Sequence, residues 1–152
     1  MSHQQMVQIV LDAYSSMPEF KEYFEFFLNP DVDKLLAKHD EIVKRELSRT
    51  KWGYSKAKTT VLKKAVKKFI GFNPGPEAVL NMLFLTLERL GAAERYLNFK
   101  EPLMNYCSYL SAQILSYADE NQLAAEAISR LGEMAKSPQY TSYFKKYIRQ
   151  AE

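Results

Sequence analysis

The chain has 152 residues, of which 47% are hydrophobic and 13% aromatic, and this is enough apolar material for one globular domain with its own core. One cysteine cannot close an intramolecular disulfide or supply a multi-thiolate metal site, and five glycines leave little material for a phosphate-binding loop. The 21 Lys and Arg residues against 18 Asp and Glu give a net charge of +3.

Three features bear on cellular location. The first six residues lack the basic region and the apolar region of a secretory signal, and a single cysteine is typical of a reducing compartment. The uncharged stretch between Glu101 and Asp119 contains polar residues, and it falls short of the roughly 20 apolar residues that a membrane-spanning helix needs. We therefore expect a cytoplasmic protein with no membrane partner.

Helical periodicity dominates the whole chain, and no segment of useful length alternates with period two. This pattern predicts one all-α domain over residues 1–152, with six to eight helices arranged as a helical bundle or a short stack of α-hairpins. The predicted helices cover about 4–14, 18–28, 30–49, 56–71, 76–90, 102–117, 122–135 and 138–150, with a short additional one at 92–97. Residues 76–90 are apolar nearly all round, which predicts a buried central helix.

The two N-terminal helices both have apolar stripes that we expect to face the core. The inner face of the first comprises Met6, Val7, Val10, Leu11 and Tyr14. In the second, Phe20, Tyr23, Phe24 and Phe27 fall at i, i+3, i+4 and i+7. The second pattern recurs at 138–148, which indicates a helical hairpin at each end of the chain.

Helix starts are predicted from capping residues. Asn29 is expected to cap the third helix, with Pro30 at its first position. Ser55 is expected to cap the fourth and Ser137 the last. Gly91 is expected to end or turn the central helix.

The charged residues are unevenly distributed. The segment Lys44–Lys68 has ten basic residues and one acid, Glu46, so its net charge is +9, and the remaining chain with 11 basic and 17 acidic residues is −6. The fourth helix has an apolar stripe with most of its lysines outside it, and the linker before it carries Trp52 and Tyr54 between basic residues. Such segregation invites a polyanion or an oppositely charged protein face.

The candidate partner surface follows from this segment. Its residues are Arg49, Lys51, Trp52, Tyr54, Lys56, Lys63, Lys64, Lys67 and Lys68. Three interpretations stay open: lysines that only solvate a helix while Trp52 and Tyr54 pin the linker over helix ends, a surface for an acidic protein or for self-association, and a nucleic-acid surface with cations for phosphates and rings for bases.

Few residues are candidates for catalysis or metal binding. His39 lies on or beside the buried stripe of its helix without a metal-ligand partner at the right spacing, and Cys107 lies on an apolar stripe without a histidine base, so both are interpreted as core residues. The nucleophile-elbow, zincin, phosphate-loop and dinucleotide motifs are not found. We expect no catalytic residue, cofactor or metal site. Phe26 with Tyr106, Tyr109 and Tyr117 is a candidate aromatic groove.

A resemblance adds to this interpretation. The string from Tyr23 to Pro30, followed by Asp33-Lys34-Leu35-Leu36, resembles an uncharacterised family of small all-helical bacterial proteins, as do the basic linker, Pro74–Glu77 and Met82-Leu83. The resemblance implies an all-helical fold and a bacterial origin, and no activity or site residue. The sequence predicts a non-enzymatic interaction or scaffold protein that uses the cationic segment or an aromatic groove. A nucleic-acid-binding module is the alternative, and an enzyme whose carboxylate pair is brought together by folding is the third interpretation.

Overall fold

The computed structural model describes residues 1–149, which form eight helices and one short β-hairpin. The prediction of an all-α domain is confirmed. The helices are α1 His3–Ser16, α2 Pro18–Leu28, α3 Val32–Leu47, α4 Thr59–Gly71, α5 Pro76–Glu94, α6 Glu101–Glu120, α7 Ala124–Lys136 and α8 Ser142–Arg149. Strands β1 Thr50–Lys51 and β2 Tyr54–Ser55 lie between α3 and α4.

Helix α5 is the centre of the fold, as its all-round apolar sequence predicts. It packs against α3, α4 and α6, and α6 in turn packs against α7 and α8. The buried residues of α5 are Val79, Leu80, Met82, Leu83, Phe84, Thr86, Leu87, Leu90 and Gly91. The helix continues to Glu94, so Gly91 neither ends nor turns it and no separate helix covers 92–97. The phenyl rings of Tyr140 and Phe144 fill the space beside Gly91.

The C-terminal helices close the core on the far side of α6. Tyr140, Phe144 and Ile148 are buried there, but Tyr143 is exposed and Tyr147 is half-buried, so the aromatic stripe of this end of the chain is core only in part. Helix α8 begins at Ser142, not at Pro138, because the Thr141 hydroxyl accepts a hydrogen bond from the Phe144 amide and so caps the helix. Ser137 follows the end of α7 and caps no helix start. Residue 150, the predicted last residue of this helix, lies outside the described residues.

Two other helix starts differ from prediction. Helix α3 is capped by Asp31, whose carboxylate accepts from the Lys34 amide, so Asn29 and Pro30 lie before the helix. Helix α4 begins at Thr59, four residues after the predicted cap Ser55, which instead belongs to β2. Leu62, Ala65, Val66 and Phe69 of α4 are buried, as its apolar stripe predicts.

The N-terminal helices do not join the core, which corrects the largest packing prediction. Neither α1 nor α2 has a buried residue. Met6, Val7 and Leu11 are exposed, and so are Tyr23 and Phe27 of the aromatic stripe. The stripes predicted the two helices and their mutual packing, since Tyr14 and Phe24 meet edge to face at 6.1 Å. They did not show that this pair would lack a second layer.

Helix α2 reaches the rest of the chain through a small set of contacts. The Glu22 carboxylate lies 2.9 Å from Lys68 Nζ and 3.6 Å from Lys38 Nζ. The rings of Tyr23 and Phe26 lie 6.2 and 5.5 Å from that of Phe72, centroid to centroid. The two ends of the chain share a sequence pattern but differ in environment, because Tyr140 and Phe144 are buried, whereas α1 and α2 have no buried residue.

Candidate binding surface

The linker between α3 and α4 is a two-residue β-hairpin that displays Trp52. Thr50 pairs with Ser55 and Lys51 with Tyr54, in antiparallel register. The two turn residues, Trp52 and Gly53, have φ values of 57° and 79°. Positive φ at both positions is the type I′ arrangement, which suits the twist of paired strands but is unfavourable for a bulky aromatic residue. The backbone at Trp52 is therefore strained, and the indole lies at the exposed tip of the hairpin.

Two groups elsewhere in the chain hold the β-hairpin in place. Asn98, in the connection between α5 and α6, donates its amide to the Gly53 carbonyl and accepts from the Ser55 amide through its own carbonyl. The Glu46 carboxylate, 7% exposed, accepts from Arg49 Nη1 at 2.7 Å and from the Lys58 amide at 2.9 Å. The end of α3, the hairpin and the start of α4 are thereby fixed relative to one another.

Trp52 is the most exposed large hydrophobic residue described, at 86% of its full area. Tyr54 beside it is 46% exposed, and Tyr96, two residues before the anchoring Asn98, is 81% exposed. The interpretation in which the lysines only solvate a helix requires Trp52 to pin the linker over a helix end. The exposed Trp52 covers no helix end, so the structure does not support that role for it. The β-hairpin presents its aromatic rings to solvent.

Most cations of the Lys44–Lys68 segment are free for a partner. Among residues 1–149, three of the ten form salt bridges: Lys44 with Asp40, Arg49 with Glu46 and Lys68 with Glu22. The seven with no acid within 4.0 Å in this part of the chain are Arg45, Lys51, Lys56, Lys58, Lys63, Lys64 and Lys67. Acids from the −6 remainder of the chain therefore neutralise only a minority of the segment.

The lysines of α4 divide between its two ends. Lys63, near the start, lies 5.2 Å from the ring centroid of Tyr109 and 5.9 Å from that of Tyr106, both on α6. Lys68, near the end, is held by Glu22 of α2. Lys64 and Lys67 line a shallow cavity beside Tyr23, also toward α2. Of the α4 lysines, Lys63 therefore lies toward α6, whereas Lys64, Lys67 and Lys68 lie toward α2.

A cavity of about 330 Å³ lies between the first turns of α4 and α6, next to the β-hairpin. Lys58 and Lys100 stand at the N-cap positions of these helices, and neither helix has a side-chain cap. The uncapped first-turn amides and the two ammonium groups both favour negative charge. Ser55, Thr59 and Thr60 line the same cavity with hydroxyl groups. The electrostatic surface thus extends from the β-hairpin into a recess of the fold.

His39 and Cys107 are core residues, as their helix positions predict. The Thr86 hydroxyl donates to the Met82 carbonyl at 2.8 Å, so its oxygen accepts from His39 Nε2–H, also at 2.8 Å. Burial lowers the pKa of His39 to about 4, although the Ala65 carbonyl and Asp40 oppose the shift, and its Nδ1 has no hydrogen-bond partner. Burial also raises the pKa of the Cys107 thiol to about 12. Within residues 1–149, no group of three or more His, Cys, Asp or Glu side chains could hold a metal ion.

The predicted aromatic groove is not formed. Phe26 packs on Phe72, just beyond the C-terminal end of α4, whereas Tyr106 and Tyr109 stack on each other near Lys63 at its N-terminal end. Tyr117 lies two turns further along α6. Tyr106 is buried, and Tyr109 and Tyr117 line one cavity along α6 without Phe26, so the four residues do not form the single groove that was predicted.

Comparison of the chain with protein-family models, with curated proteins and with solved structures finds no match. Of the helices described, none is both long and apolar enough to span a membrane.

Proposed function

We propose that this protein binds single-stranded nucleic acid through the cationic surface around Trp52. The observation that carries the proposal is the 86% exposed indole at the tip of an anchored β-hairpin, among cations without acidic partners. A flat ring stacks on any base, and lysine or arginine side chains neutralise the phosphates on either side. Lys51 and Lys56 flank the two aromatic residues of the hairpin in sequence, so a cation stands on each side of the rings along the chain.

The order of the two candidate partners follows from what surrounds Trp52. The anchor residue of a protein interface lies in an apolar, water-excluding patch, and lysine is depleted at such interfaces. The neighbours of Trp52 in the hairpin are Lys51, Gly53 and Tyr54, and the residues that hold the hairpin are polar. This environment favours phosphates and bases over an apolar protein surface.

An acidic protein surface is the second candidate. Tryptophan and tyrosine are among the residue types most enriched among strongly contributing interface residues, and the surface exposes Trp52 and Tyr54. Both candidates are non-enzymatic. The relationship to the helical bacterial family stays a prediction beside them.

Fluorescence of Trp52, the only tryptophan, tests the first candidate directly. Titration with oligothymidylate at about 20 mM salt should quench or shift its emission, and neutralisation of about five phosphates should give a logarithmic salt slope of roughly −3 to −4 on a single strand. Duplex of the same length should bind more weakly, because its bases are not available for stacking on the indole. No binding to the single strand at this salt concentration would contradict the proposal.

Matched variants separate stacking from general charge. With a labelled oligonucleotide, Trp52→Ala should weaken binding by about 10- to 100-fold, the contribution of one stacked base, while Tyr143→Ala on α8 should leave it unchanged. Lys51→Gln with Lys56→Gln should reduce the magnitude of the salt slope by about one to two. Lys136→Gln with Lys146→Gln makes the same change in net charge far from the hairpin in sequence and should not alter the slope. Binding of polyglutamate in preference to oligothymidylate would favour the acidic protein.

A further inference from the structure

The recess between the first turns of α4 and α6 has no acidic lining residue. It is the cavity of about 330 Å³ beside the β-hairpin, and its eight lining residues include Lys58 and Lys100. Neither ammonium group has an acid within 4.0 Å among residues 1–149. Glu101, next to Lys100 in sequence, does not line the recess. The recess therefore contains two cations without a counter-charge of its own.

The start of α4 adds main-chain donors to these cations. The first hydrogen bond of this helix runs from the Val61 amide to the Lys58 carbonyl at 3.1 Å, and no side chain caps the helix. The amides of Thr59 and Thr60 therefore have no acceptor within the helix, and free amides at a helix start favour an anion. Helix α6 contributes less, because Pro102 in its first turn has no N–H group.

The Ser55 hydroxyl is a buried donor without an acceptor. Ser55 is 6% exposed and lines the recess. Its oxygen accepts from the Ala57 amide at 3.2 Å, and its proton has no acceptor among residues 1–149. An unused donor in the interior costs free energy, which a phosphate oxygen in the recess would recover. The hydroxyl of Ser55 is therefore an observation independent of the helix start that indicates an anionic ligand.

The size and lining of the recess suit an organic phosphate better than a bare ion. Sites for small organic ligands have volumes of roughly 300–1,000 Å³, and this recess, at about 330 Å³, lies at the lower end of that range. Ala57, Pro102 and Leu103 line it with apolar groups beside the polar ones. A phosphate with a sugar attached contacts both kinds of lining, whereas inorganic phosphate uses only the polar groups.

We propose that the recess binds the terminal phosphate of a nucleic-acid strand together with its sugar. The inference rests on the proposed function and makes the end of the strand the part that the protein selects. A terminal phosphate monoester carries about two negative charges, which match the ammonium groups of Lys58 and Lys100. Ser55 lies three residues after Trp52, so their Cα atoms are at most about 11 Å apart. One strand can therefore place its end in the recess and a nearby base on the indole.

Oligothymidylate with and without an end phosphate tests the proposal. Strands of one length that carry a 5′-phosphate, a 3′-phosphate or hydroxyl ends only are titrated into the full chain, and the two phosphorylated strands show which end is bound. One of them should bind at least about tenfold more tightly than the hydroxyl-ended strand, because hydrogen bonds to a charged group are strong. A hydroxyl-ended strand about two nucleotides longer carries the same charge and should not gain this advantage.

Variants separate the recess from the site at Trp52. Lys58→Gln and Lys100→Gln should each reduce the ratio of the two affinities, phosphorylated over hydroxyl-ended, by about threefold to tenfold. Lys146→Gln, the same change in charge on α8, should leave this ratio unchanged. Trp52→Ala should weaken the binding of both strands and keep their ratio, because the indole contacts a base and not the end phosphate.

The amide resonances of Thr59 and Thr60 provide a readout at the recess itself. The phosphorylated strand should shift them more than the hydroxyl-ended strand does. Equal affinity for the two strands would overturn the inference and leave the proposed function intact, whereas no binding of any strand would overturn both. Inorganic phosphate that binds as tightly as the phosphorylated strand and shifts the same amides would also overturn the inference, because the recess would then be a site for a free anion.

Discussion

A Cβ atom on Gly91 would lie 2.6 Å from Cδ1 of Tyr140, and 2.7 Å from Cε1 of Phe144. Glycine in the middle of α5 is therefore required by the close packing of two aromatic rings against the helix backbone. Real Cβ contacts are not that short, and the rings are themselves buried among α6 and α8 side chains, so they have little room to move.

Gly91→Ala should destabilise the protein by about 1–3 kcal/mol, the usual cost of overpacking a core. In an open helix position the same change stabilises by about 1 kcal/mol. Gly132→Ala in α7 provides that control, because nothing lies within 4 Å of the added methyl group. Urea unfolding of both variants measures the difference. Equal stability of the two variants would show that the rings at Gly91 yield freely.

His39 should make the folded state less stable in mild acid. Its pKa is about 4 in the folded chain, because burial disfavours the charged ring, and 6.5 is the usual value. Below pH 6.5 the unfolded chain therefore gains a proton that the folded chain refuses until about pH 4. Stability falls over this window as pH decreases, by up to about 3 kcal/mol for a shift of this size.

The variant His39→Leu isolates that contribution. The free energy of unfolding, measured in urea between pH 4 and 7, should depend less on pH in this variant, so the difference between the two curves should change by up to about 3 kcal/mol over this range. His3→Gln removes an exposed histidine and should leave the pH dependence as it is in the parent chain. If the parent and His39→Leu curves stay parallel, His39 is not protonated on unfolding.

Glu46 should control the order of the β-hairpin that carries Trp52. Burial raises its pKa, but the Lys58 amide and Arg49 outweigh burial and hold the pKa below its usual range. Its contribution to stability is thus present at neutral pH and lost as pH falls through the lowered pKa. Glu46→Ala should cost about 2 kcal/mol, because it removes one charged partner and leaves a main-chain donor unpaired.

Hydrogen exchange provides a local measurement of the same change. The amides of Ser55 and Asn98 form the hydrogen bonds between the β-hairpin and the α5–α6 connection. Both should exchange faster in Glu46→Ala than in the parent chain. Glu41→Gln, an exposed change on the same helix, is the control and should protect both amides as before. Unchanged protection in Glu46→Ala would mean that Asn98 alone holds the hairpin.

The sequence predicted helices better than it predicted their neighbours. Helix α5 was predicted to be central because its sequence is apolar nearly all round, and nine of its residues are buried. The apolar stripes of α1 and α2 predicted a buried face that these helices do not have among residues 1–149, since a stripe indicates which side of a helix can be buried and not whether another layer lies against it. The strands around Trp52 have two residues each, too few for period two to be visible.

The site was predictable in composition but not in geometry. The count of ten cations against Glu46 indicated the candidate surface, and Trp52 and Tyr54 were visible between basic residues in the linker, but the β-hairpin was not predicted. The role of Glu46 was not predictable, because a single acid among ten basic residues indicates only a small reduction of the local positive charge. Asn98 is 45 positions from Gly53, and nothing in one sequence indicates that the two will share a hydrogen bond.

Cys107 should report global unfolding through its reactivity. The thiol is fully buried, donates weakly to the Leu103 carbonyl at 3.4 Å and has its pKa raised to about 12, so the native state contains neither access nor thiolate. A disulfide reagent at pH 8 should therefore react only through opened molecules. For a stability of about 5 kcal/mol, this makes the native reaction roughly 1000-fold or more slower than that of an exposed thiol.

Ser116→Cys, at an exposed position on the same helix, provides the reference rate in a chain that keeps Cys107. One thiol of this variant should react at once and the second at the rate of the parent. In increasing urea, the slow rate should rise with the slope of the equilibrium unfolding curve, because opening exposes the whole core around α6. Two results would contradict this prediction: a Cys107 reaction rate in the parent chain within about tenfold of the rate of the introduced thiol, or a slow rate that does not change with urea concentration. Either would show that Cys107 reacts through a local opening of α6 and not through global unfolding.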